Sequence, residues 1–122
     1  MAEPIAVLDV HSRELEPWGM SSDQLIDGQP EMAFRSLYRA ADDRTWIAVW
    51  TSTEGSFWSQ YAGDEMIHFI EGRATITDQD GRRATYGPGH AVLIRAGSRC
   101  VWEIEEPVRM LFHYQAAGGA DQ

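Results

Sequence analysis

The sequence predicts an all-β domain of the sandwich or closed-barrel kind, and three observations lead to this fold class. From residue 32 onward the chain consists of short runs rich in Trp, Ile, Val, Phe, Tyr and Thr, which favour strands. Clusters of Gly, Pro and Asp separate these runs at intervals close to about ten residues. No interval leaves room for a packed crossover helix, so alternating βαβ units are excluded.

The chain of 122 residues is the size of one folding unit. We expect residues 1–30 to form an N-terminal arm, which lies across the barrel or exchanges with a neighbouring copy, because polar and turn residues are mixed there with isolated apolar ones. Within this arm IAVLDV resembles a strand, and Ser21 or Ser22 can cap a helical turn in SSDQLI. Residues 31–115 should form the barrel, and residues 116–122 a flexible tail.

Nine runs are candidate strands of the barrel. In chain order they are MAFRSLYR, TWIAVWTS, SFWSQY, MIHFIEG, RATITDQ, RRATYG, HAVLIRA, RCVWEIE and VRMLFHYQ. The clearest turn is Asp78-Gln79-Asp80-Gly81, where glycine can adopt the left-handed conformation that closes a hairpin. A second tight corner, Gly87-Pro88-Gly89, should precede the strand HAVLIRA.

Composition excludes several classes of function. The net charge of −9 repels nucleic acid and anionic membranes, and the absence of lysine excludes Schiff-base chemistry. No stretch has the composition of a secretion signal or reaches the length of a membrane span, so we expect a cytoplasmic protein. Cys100 is the single cysteine and can form neither an internal disulfide nor a multi-thiolate zinc site.

Two segments carry the most specific pattern. Asp64–Gly72 contains a glutamate, six residues and a glycine, and Gly89 is followed by five residues, Arg95-Ala96-Gly97, two residues and Cys100. In this order and spacing the chain resembles the cupin superfamily, and over residues 45–114 it is similar to the small single-domain branch related to the ureidoglycine aminohydrolase cupin domain (DUF861). The resemblance implies a double-stranded β-helix, or jelly-roll barrel, that assembles as a homodimer. The apolar early strands, which need cover along their open edges, agree with a dimer.

The resemblance also implies where a metal site would lie. Metal-binding cupins place His-x-His four or five residues before the glutamate, so that the side chains share one strand face. Here those positions hold Trp58 and Gln60, or Ser59 and Tyr61 in the other register, and Cys100 stands at the third histidine position. We therefore expect no bound metal or cofactor, and the aminohydrolase activity is not carried over to this chain.

The remaining candidates are residues that should surround the lumen. Glu65 is predicted to point inward as a polar anchor or an acid/base, with Gln60 or Tyr61 beside it. Trp58 and Trp102 are predicted walls, and each is equally a candidate for plain core packing. Cys100 should face inward beside Trp102, as a ligand contact or a small buried filler.

Four histidines and two further tryptophans are assigned with less specific roles. His113 is the histidine most suited to partner Glu65, since it lies in the final strand; His68, His90 and His11 rank below it. Trp46 and Trp50 share a strand face and indicate barrel packing or a subunit contact.

The leading hypothesis is a protein that binds a small organic molecule in its lumen. The alternative is a metal-free or weakly metal-dependent hydrolase, isomerase or lyase with Glu65 as acid/base and His113 or His68 as its partner. A third hypothesis is a structural or regulatory module without a pocket, which should show an exposed apolar patch and no perturbed carboxyl group.

Overall fold

The computed structural model describes residues 4–117, and this part of the chain is almost entirely β-sheet. A single turn of 3-10 helix, Ser22–Gln24, interrupts the strands near the N-terminus. The strands are β1 (Glu16–Pro17), β2 (Leu25–Asp27), β3 (Met32–Arg39), β4 (Thr45–Ser52), β5 (Gly55–Gln60), β6 (Asp64–Asp78), β7 (Arg83–Tyr86), β8 (Ala91–Ile94) and β9 (Arg99–Gln115).

The two long strands β6 and β9 pair antiparallel along their whole length and hold the barrel together. The second half of β9 also pairs with β4, and β4 with β3 and β3 with β1. The first half of β9 pairs with β5, and β5 with β2. β8 and β7 pair with the first and second halves of β6. Two curved sheets therefore share β6 and β9, which is the predicted all-β jelly roll.

The bend that separates the two sheets lies at the middle of β6 and β9. The pairing of these strands is irregular between Phe69 and Ala74. Gly72 has a φ of 84°, and a Cβ atom there would collide with the Pro107 carbonyl. Pro107 lacks an N–H to donate, so its position at a bulge costs the ladder no hydrogen bond.

The bend corrects the predicted strand count. MIHFIEG and RATITDQ form one continuous strand, and so do RCVWEIE and VRMLFHYQ. Glu105-Glu106-Pro107, at the boundary between the predicted runs RCVWEIE and VRMLFHYQ, bends β9 without ending it. The chain does not reverse there because the long partner strand runs past both halves and keeps pairing with them.

The core lies between the two sheets and is rich in aromatic rings. Along β9 the buried side chains fall on alternate positions, as expected of a strand with one inward face. Trp102 stacks on Phe57 and on Phe69, with ring centroids 6.0 and 6.1 Å apart. Phe57 in turn packs edge-on against Trp50 from the opposite sheet. These contacts join the sheets into a single core.

Both predicted turns are confirmed. The Asp78 carboxylate accepts hydrogen bonds from the amides of Asp80 and Arg82, at 2.9 and 3.0 Å, and Gly81 has a φ of 85°. Gly89, with a φ of 91°, closes the second corner immediately before β8.

Residues 10–14 of the N-terminal arm lie on the outer face of the β3-β4-β9 sheet. Arg109 donates hydrogen bonds to the carbonyls of Val10 and Ser12, at 3.2 and 2.9 Å, and Arg35 donates to that of Glu14 at 3.3 Å. The prediction of a strand in IAVLDV is wrong. Residues 5–10 pair with no other strand in the described part of the chain, and the arginine contacts hold the arm through its backbone carbonyls instead. Val7 is 91% exposed in this segment.

The expected cap on SSDQLI is confirmed: the Ser21 hydroxyl accepts from the Asp23 amide and begins the 3-10 turn. At the other end, the predicted flexible tail begins with Ala116 and Ala117, whose carbonyls accept from Arg44. Residues 118–122 of that tail lie outside the described part.

Residues 4–117 contain no helix that is long and apolar enough to cross a membrane. The homodimer stays a prediction. Its strongest support is an apolar row on the outer face, in which Leu93, Met66 and Tyr38 are exposed. Leu93 pairs with Met66, Met66 with His113, and His113 with Ile47, so cross-strand pairs connect the row.

Candidate functional site

A cavity of about 370 Å³ lies between the two sheets and is closed on one side by the arm. This volume is at the small end of the range typical of ligand pockets, roughly 300 to 1,000 Å³. Most of its lining is aromatic or aliphatic, and one acidic side chain, Glu65, projects into it. The lining residues are Trp18, Gly19, Met20, Gln24, Trp46, Trp50, Phe57, Ser59, Gln60, Tyr61, Ala62, Glu65, Ile67, Trp102, Met110, Phe112 and Tyr114.

The register of β5 decides which of its side chains reach the cavity. Phe57 pairs with Trp102 and Ser59 with Cys100, and both partners lie on the inward face of β9. Ser59 and Tyr61 therefore face inward, which resolves the two registers that the sequence left open.

Trp58, expected as a wall, lies instead on the outer face of β5. Its ring sits under the Arg99 guanidinium, 3.9 Å from the centroid, and its indole N–H donates to the Asp23 carbonyl. Gln60 is exposed at the rim of the cavity, where its amide donates to the Gly97 carbonyl at 3.3 Å. Trp58 thus anchors the arm, and Gln60 is placed to contact a ligand at the mouth.

Tyr61 and Trp102 form a buried polar pair in the cavity wall. The Trp102 indole N–H donates to the Tyr61 phenol oxygen at 3.0 Å. Burial raises the pKa of Tyr61 far above its usual range, and the neighbouring Glu65 and Cys100 charges raise it further. Tyr61 therefore remains a neutral phenol that still carries a proton to donate.

Glu65 is the chemically unusual member of the site. It is the second residue of β6, where it pairs with Ile94 of β8 and Tyr114 of β9, and its side chain is mostly buried. Burial raises its pKa to about 7. Among residues 4–117 no ion pair or side-chain hydrogen bond offsets this effect. The carboxyl group is therefore poised to change its protonation state near neutral pH.

Cys100 is buried in the core beside Trp102, as predicted, but it lies outside the lining of the Glu65 cavity. It borders a second, open depression together with Asp78. Burial raises the pKa of the Cys100 thiol, and the Asp78 charge raises it further. A thiol held in its neutral form is a poor nucleophile, so the geometry favours the role of buried filler.

The histidines do not meet Glu65 in the cavity. His113 alternates with Phe112 and Tyr114, which line the cavity, and so projects from the opposite face of β9. This placement corrects the expectation that His113 could face the lumen. His68 is exposed on β6, three residues from Glu65. His90 accepts a hydrogen bond from the Gly87 amide at its turn, and His11 is exposed in the arm.

Several wall residues were not identified from the sequence as members of the site. Trp18 comes from the arm and stacks on Trp46, with centroids 6.3 Å apart, while Met20 and Gln24 follow it around the opening. An isolated tryptophan in a polar segment was the one available signal, and it carries no periodicity. Trp46 and Trp50 do share one face, as predicted, and that face is the cavity wall.

The positions that hold metal ligands in metal-binding cupins do not fit a metal in this chain. They hold the hydroxyl of Ser59, the phenol of Tyr61, the carboxyl of Glu65 and the buried thiol of Cys100, and the thiol lies outside the cavity that the other three line. Transition metals prefer imidazole, thiolate and carboxylate donors, and here the pKa values of the phenol and the thiol are both raised. In the described residues, no three His, Cys, Asp or Glu side chains converge closely enough to bind a metal ion.

Comparison with known proteins identifies the architecture. Residues 39–112 match the family model described as the EutQ-like cupin domain. The fold is similar to that of a DUF861 family protein of unknown function from Pseudomonas syringae pv. tomato. The TM-score is 0.80 at 24% identity, over 88% of this chain and 46% of that one. This chain thus spans about half the length of the Pseudomonas protein.

Two further solved structures share the fold at lower identity. The EutQ protein of Clostridium difficile gives a TM-score of 0.63 at 21% identity, over 76% of this chain and 68% of that one. A cupin superfamily protein from Desulfitobacterium hafniense gives 0.64 at 20% identity, over 91% and 99% of the two chains. No curated protein matches the sequence.

Proposed function

The chain belongs to the EutQ-like cupin domain family, and from this premise we propose that it binds a small organic molecule inside its barrel, with Glu65 as the polar anchor. The closer resemblance to the ureidoglycine aminohydrolase branch stays a prediction. The proposal depends on the cavity of this chain and not on the activity of any relative.

One observation carries the proposal: the largely buried carboxyl group of Glu65 projects into an aromatic cavity and has no hydrogen-bond donor among residues 4–117. Burial of an unpaired polar group is unfavourable, and native proteins retain such groups mainly where a ligand, an ion or water satisfies them. A ligand that brings a donor to Glu65 recovers this free energy on binding. A bound ligand that donates to Glu65 should therefore stabilise the folded protein.

The walls supply the remaining binding energy. Trp46, Trp50 and Trp102 present large apolar surfaces, and Trp18 adds a fourth indole from the arm. Aromatic side chains of this kind hold a small molecule through burial of apolar area with little loss of side-chain entropy. Tyr61 and Gln60 are polar groups placed to fix its orientation.

The proposal is tested by a fragment screen against the purified protein, read by saturation-transfer NMR and by tryptophan fluorescence. We expect fragments that bind the wild type to lose binding in Ser59→Leu, because the added side chain occupies the cavity. Ser56→Leu is the matched control, since Ser56 lies on the opposite face of β5. Thermal unfolding verifies that both variants are folded. No binding to the wild type, or binding that survives Ser59→Leu, would contradict the proposal.

A second candidate function is acid/base catalysis by Glu65, which its pKa of about 7 favours. Such an enzyme would act as a hydrolase, isomerase or lyase on the bound molecule. His113 and His68 are not placed to assist, and Tyr61 is a polar lining residue close enough for the Glu65 charge to act on it. Incubation of the binding fragments in D₂O with the wild type and with Glu65→Gln, followed by NMR, separates the two functions. Catalysis by Glu65 converts a fragment or exchanges its carbon-bound protons with the wild type and not with the variant, whereas binding alone leaves the fragment unchanged.

A further inference from the structure

The charges around the cavity are strongly one-sided. Glu65 is the ionisable group of the lining that titrates near neutral pH, and the described lining residues include no arginine and no histidine. The chain as a whole contains no lysine. A ligand that enters the cavity therefore meets one potential negative charge and no positive charge among the described lining residues. The Arg39 guanidinium lies outside this lining, 4.6 Å from the centroid of the Trp46 ring.

The aromatic walls favour the same kind of ligand. The faces of indole rings carry negative electrostatic potential and attract organic cations, with tryptophan the strongest of the three aromatic residues. Four tryptophans line the cavity, and Trp18, Trp46 and Phe112 form a continuous series of ring contacts. Around a carboxylate, such walls favour an ammonium group over a neutral group of the same size.

The field of the whole molecule acts in the same direction. The net charge of −9 attracts cations and repels anions on their approach to the mouth. An anionic ligand would in addition lose its hydration inside the cavity without gaining a cationic partner. The cavity wall, the single carboxyl group and the surface charge thus all favour a positively charged ligand.

We propose that the barrel binds a small organic cation, an aliphatic or aromatic amine whose ammonium group pairs with Glu65 while its apolar part packs against the tryptophans. This inference rests on the proposed function and specifies the chemical class of the ligand. The ionised carboxylate is the binding form, and the cation displaces its proton.

The test compares three probes of nearly equal size and different charge: n-butylamine, 1-butanol and sodium butyrate. Titration calorimetry and tryptophan fluorescence should show butylammonium binding at least about tenfold more tightly than butanol, and butyrate most weakly. Butylamine remains protonated from about pH 6 to about pH 8. Because the pKa of Glu65 is about 7, the affinity of the protein for butylammonium should rise about tenfold across that pH interval. Butanol affinity should not change with pH.

Two variants separate the charge of Glu65 from other effects. Glu65→Gln should lower butylammonium affinity about tenfold or more, abolish its pH dependence and remove the preference for butylammonium over butanol. Glu71→Gln removes the same charge from an exposed position of β6 and should retain wild-type behaviour. Thermal unfolding verifies that both variants are folded.

The outcomes distinguish this inference from the proposed function. Equal binding of butylamine and butanol, or a preference for butyrate, would overturn the cation inference while the cavity remained a binding site. Neutral or acidic fragments that bind in the screen while butylamine does not would have the same meaning. A screen in which no fragment binds would overturn both.

Discussion

Two carboxyl groups of the barrel, Glu65 in the cavity and Glu105 at the bend of β9, respond to folding in opposite ways. Glu105 accepts hydrogen bonds from Thr75 at 2.9 Å and Arg73 at 3.1 Å on an exposed surface. Both hydrogen bonds lower the pKa of Glu105, and the bond from Thr75 contributes the most. Glu65 has no such donor, and burial raises its pKa to about 7. The same side chain is a stable anion in one region and a weak acid in the other.

Whether a carboxyl group finds a hydrogen-bond donor depends on the strand face from which it projects and not on its distance along the chain. Asp64 is adjacent to Glu65, yet it points to the other side of β6, where it accepts a hydrogen bond from the Ala96 amide at 2.8 Å. One step along a strand thus separates a satisfied carboxylate from an unsatisfied one. A carboxyl group without a donor in a largely aromatic cavity is the feature on which the proposed binding function rests.

The largest expected effect comes from removing the wall that keeps the cavity apolar. Trp102 is 2% exposed and lies between Phe57 and Phe69, with its N–H bonded to Tyr61. Trp102→Ala should cost about 4 kcal/mol of unfolding free energy, because it leaves a large cavity and removes the donor to the phenol. Urea denaturation followed by circular dichroism measures this loss. Water admitted to the enlarged cavity should also lower the pKa of Glu65 toward its ordinary value.

Trp58→Ala is the control for an equal loss of side-chain volume on the outer face. Its cost should be about 1 to 2 kcal/mol, from the stacking on Arg99 and the bond to Asp23. A similar loss in both variants would show that Trp102 is not the wall described here.

The next effect concerns Glu65 itself. Its pKa is about 7 in the folded protein against 4.5 for an ordinary glutamate, so the folded state binds the proton more tightly. Below about pH 4.5 both states are protonated and this carboxyl group costs no stability. As the pH rises from there through about 7, up to about 3 kcal/mol of stability should be lost.

Glu65→Gln should remove this loss and stabilise the protein at about pH 8, where the wild-type carboxylate is ionised. Urea denaturation between about pH 5 and about pH 8 measures the difference. Glu71→Gln, which changes an exposed glutamate of the same strand, should leave the wild-type slope in place. Parallel pH profiles for wild type and Glu65→Gln would mean that Glu65 is not buried unpaired.

The fold could be predicted largely because alternation and turn chemistry are local. β3 and β4 coincide with the runs MAFRSLYR and TWIAVWTS, and the Asp78–Gly81 turn forms as expected. The continuity of β6 and β9 could not be predicted. Gly72 and Glu105–Pro107 look like chain reversals in the sequence, and a bend replaces the reversal only because each strand keeps pairing with the other.

The site was predicted only in part, because its identity depends on register. Glu65 and Tyr61 were candidates through the resemblance to cupins, and Trp102 through strand alternation with Cys100; all three line the cavity. The choice between Trp58 and Ser59 required the pairing of β5 with β9. The contribution of Trp18 required the path of the arm, which is set by contacts distant in sequence such as Arg109 with Val10.

The smallest expected effect on stability is at Glu105, and its sign should be opposite to that at Glu65. Because donors lower the pKa of Glu105, this carboxylate stabilises the folded protein above its ordinary pKa, and the contribution is lost as the pH falls. Glu105→Gln should therefore lower the urea midpoint slightly at about pH 7 and change it little at about pH 3, opposite in sign to Glu65→Gln. Glu106→Gln is the matched control, since Glu106 shares the Arg73 ion pair but has no bond to Thr75. If Glu105→Gln stabilised the protein at neutral pH, the donors at the bend would not outweigh the cost of ordering that carboxylate, and the contrast between the two regions would fail.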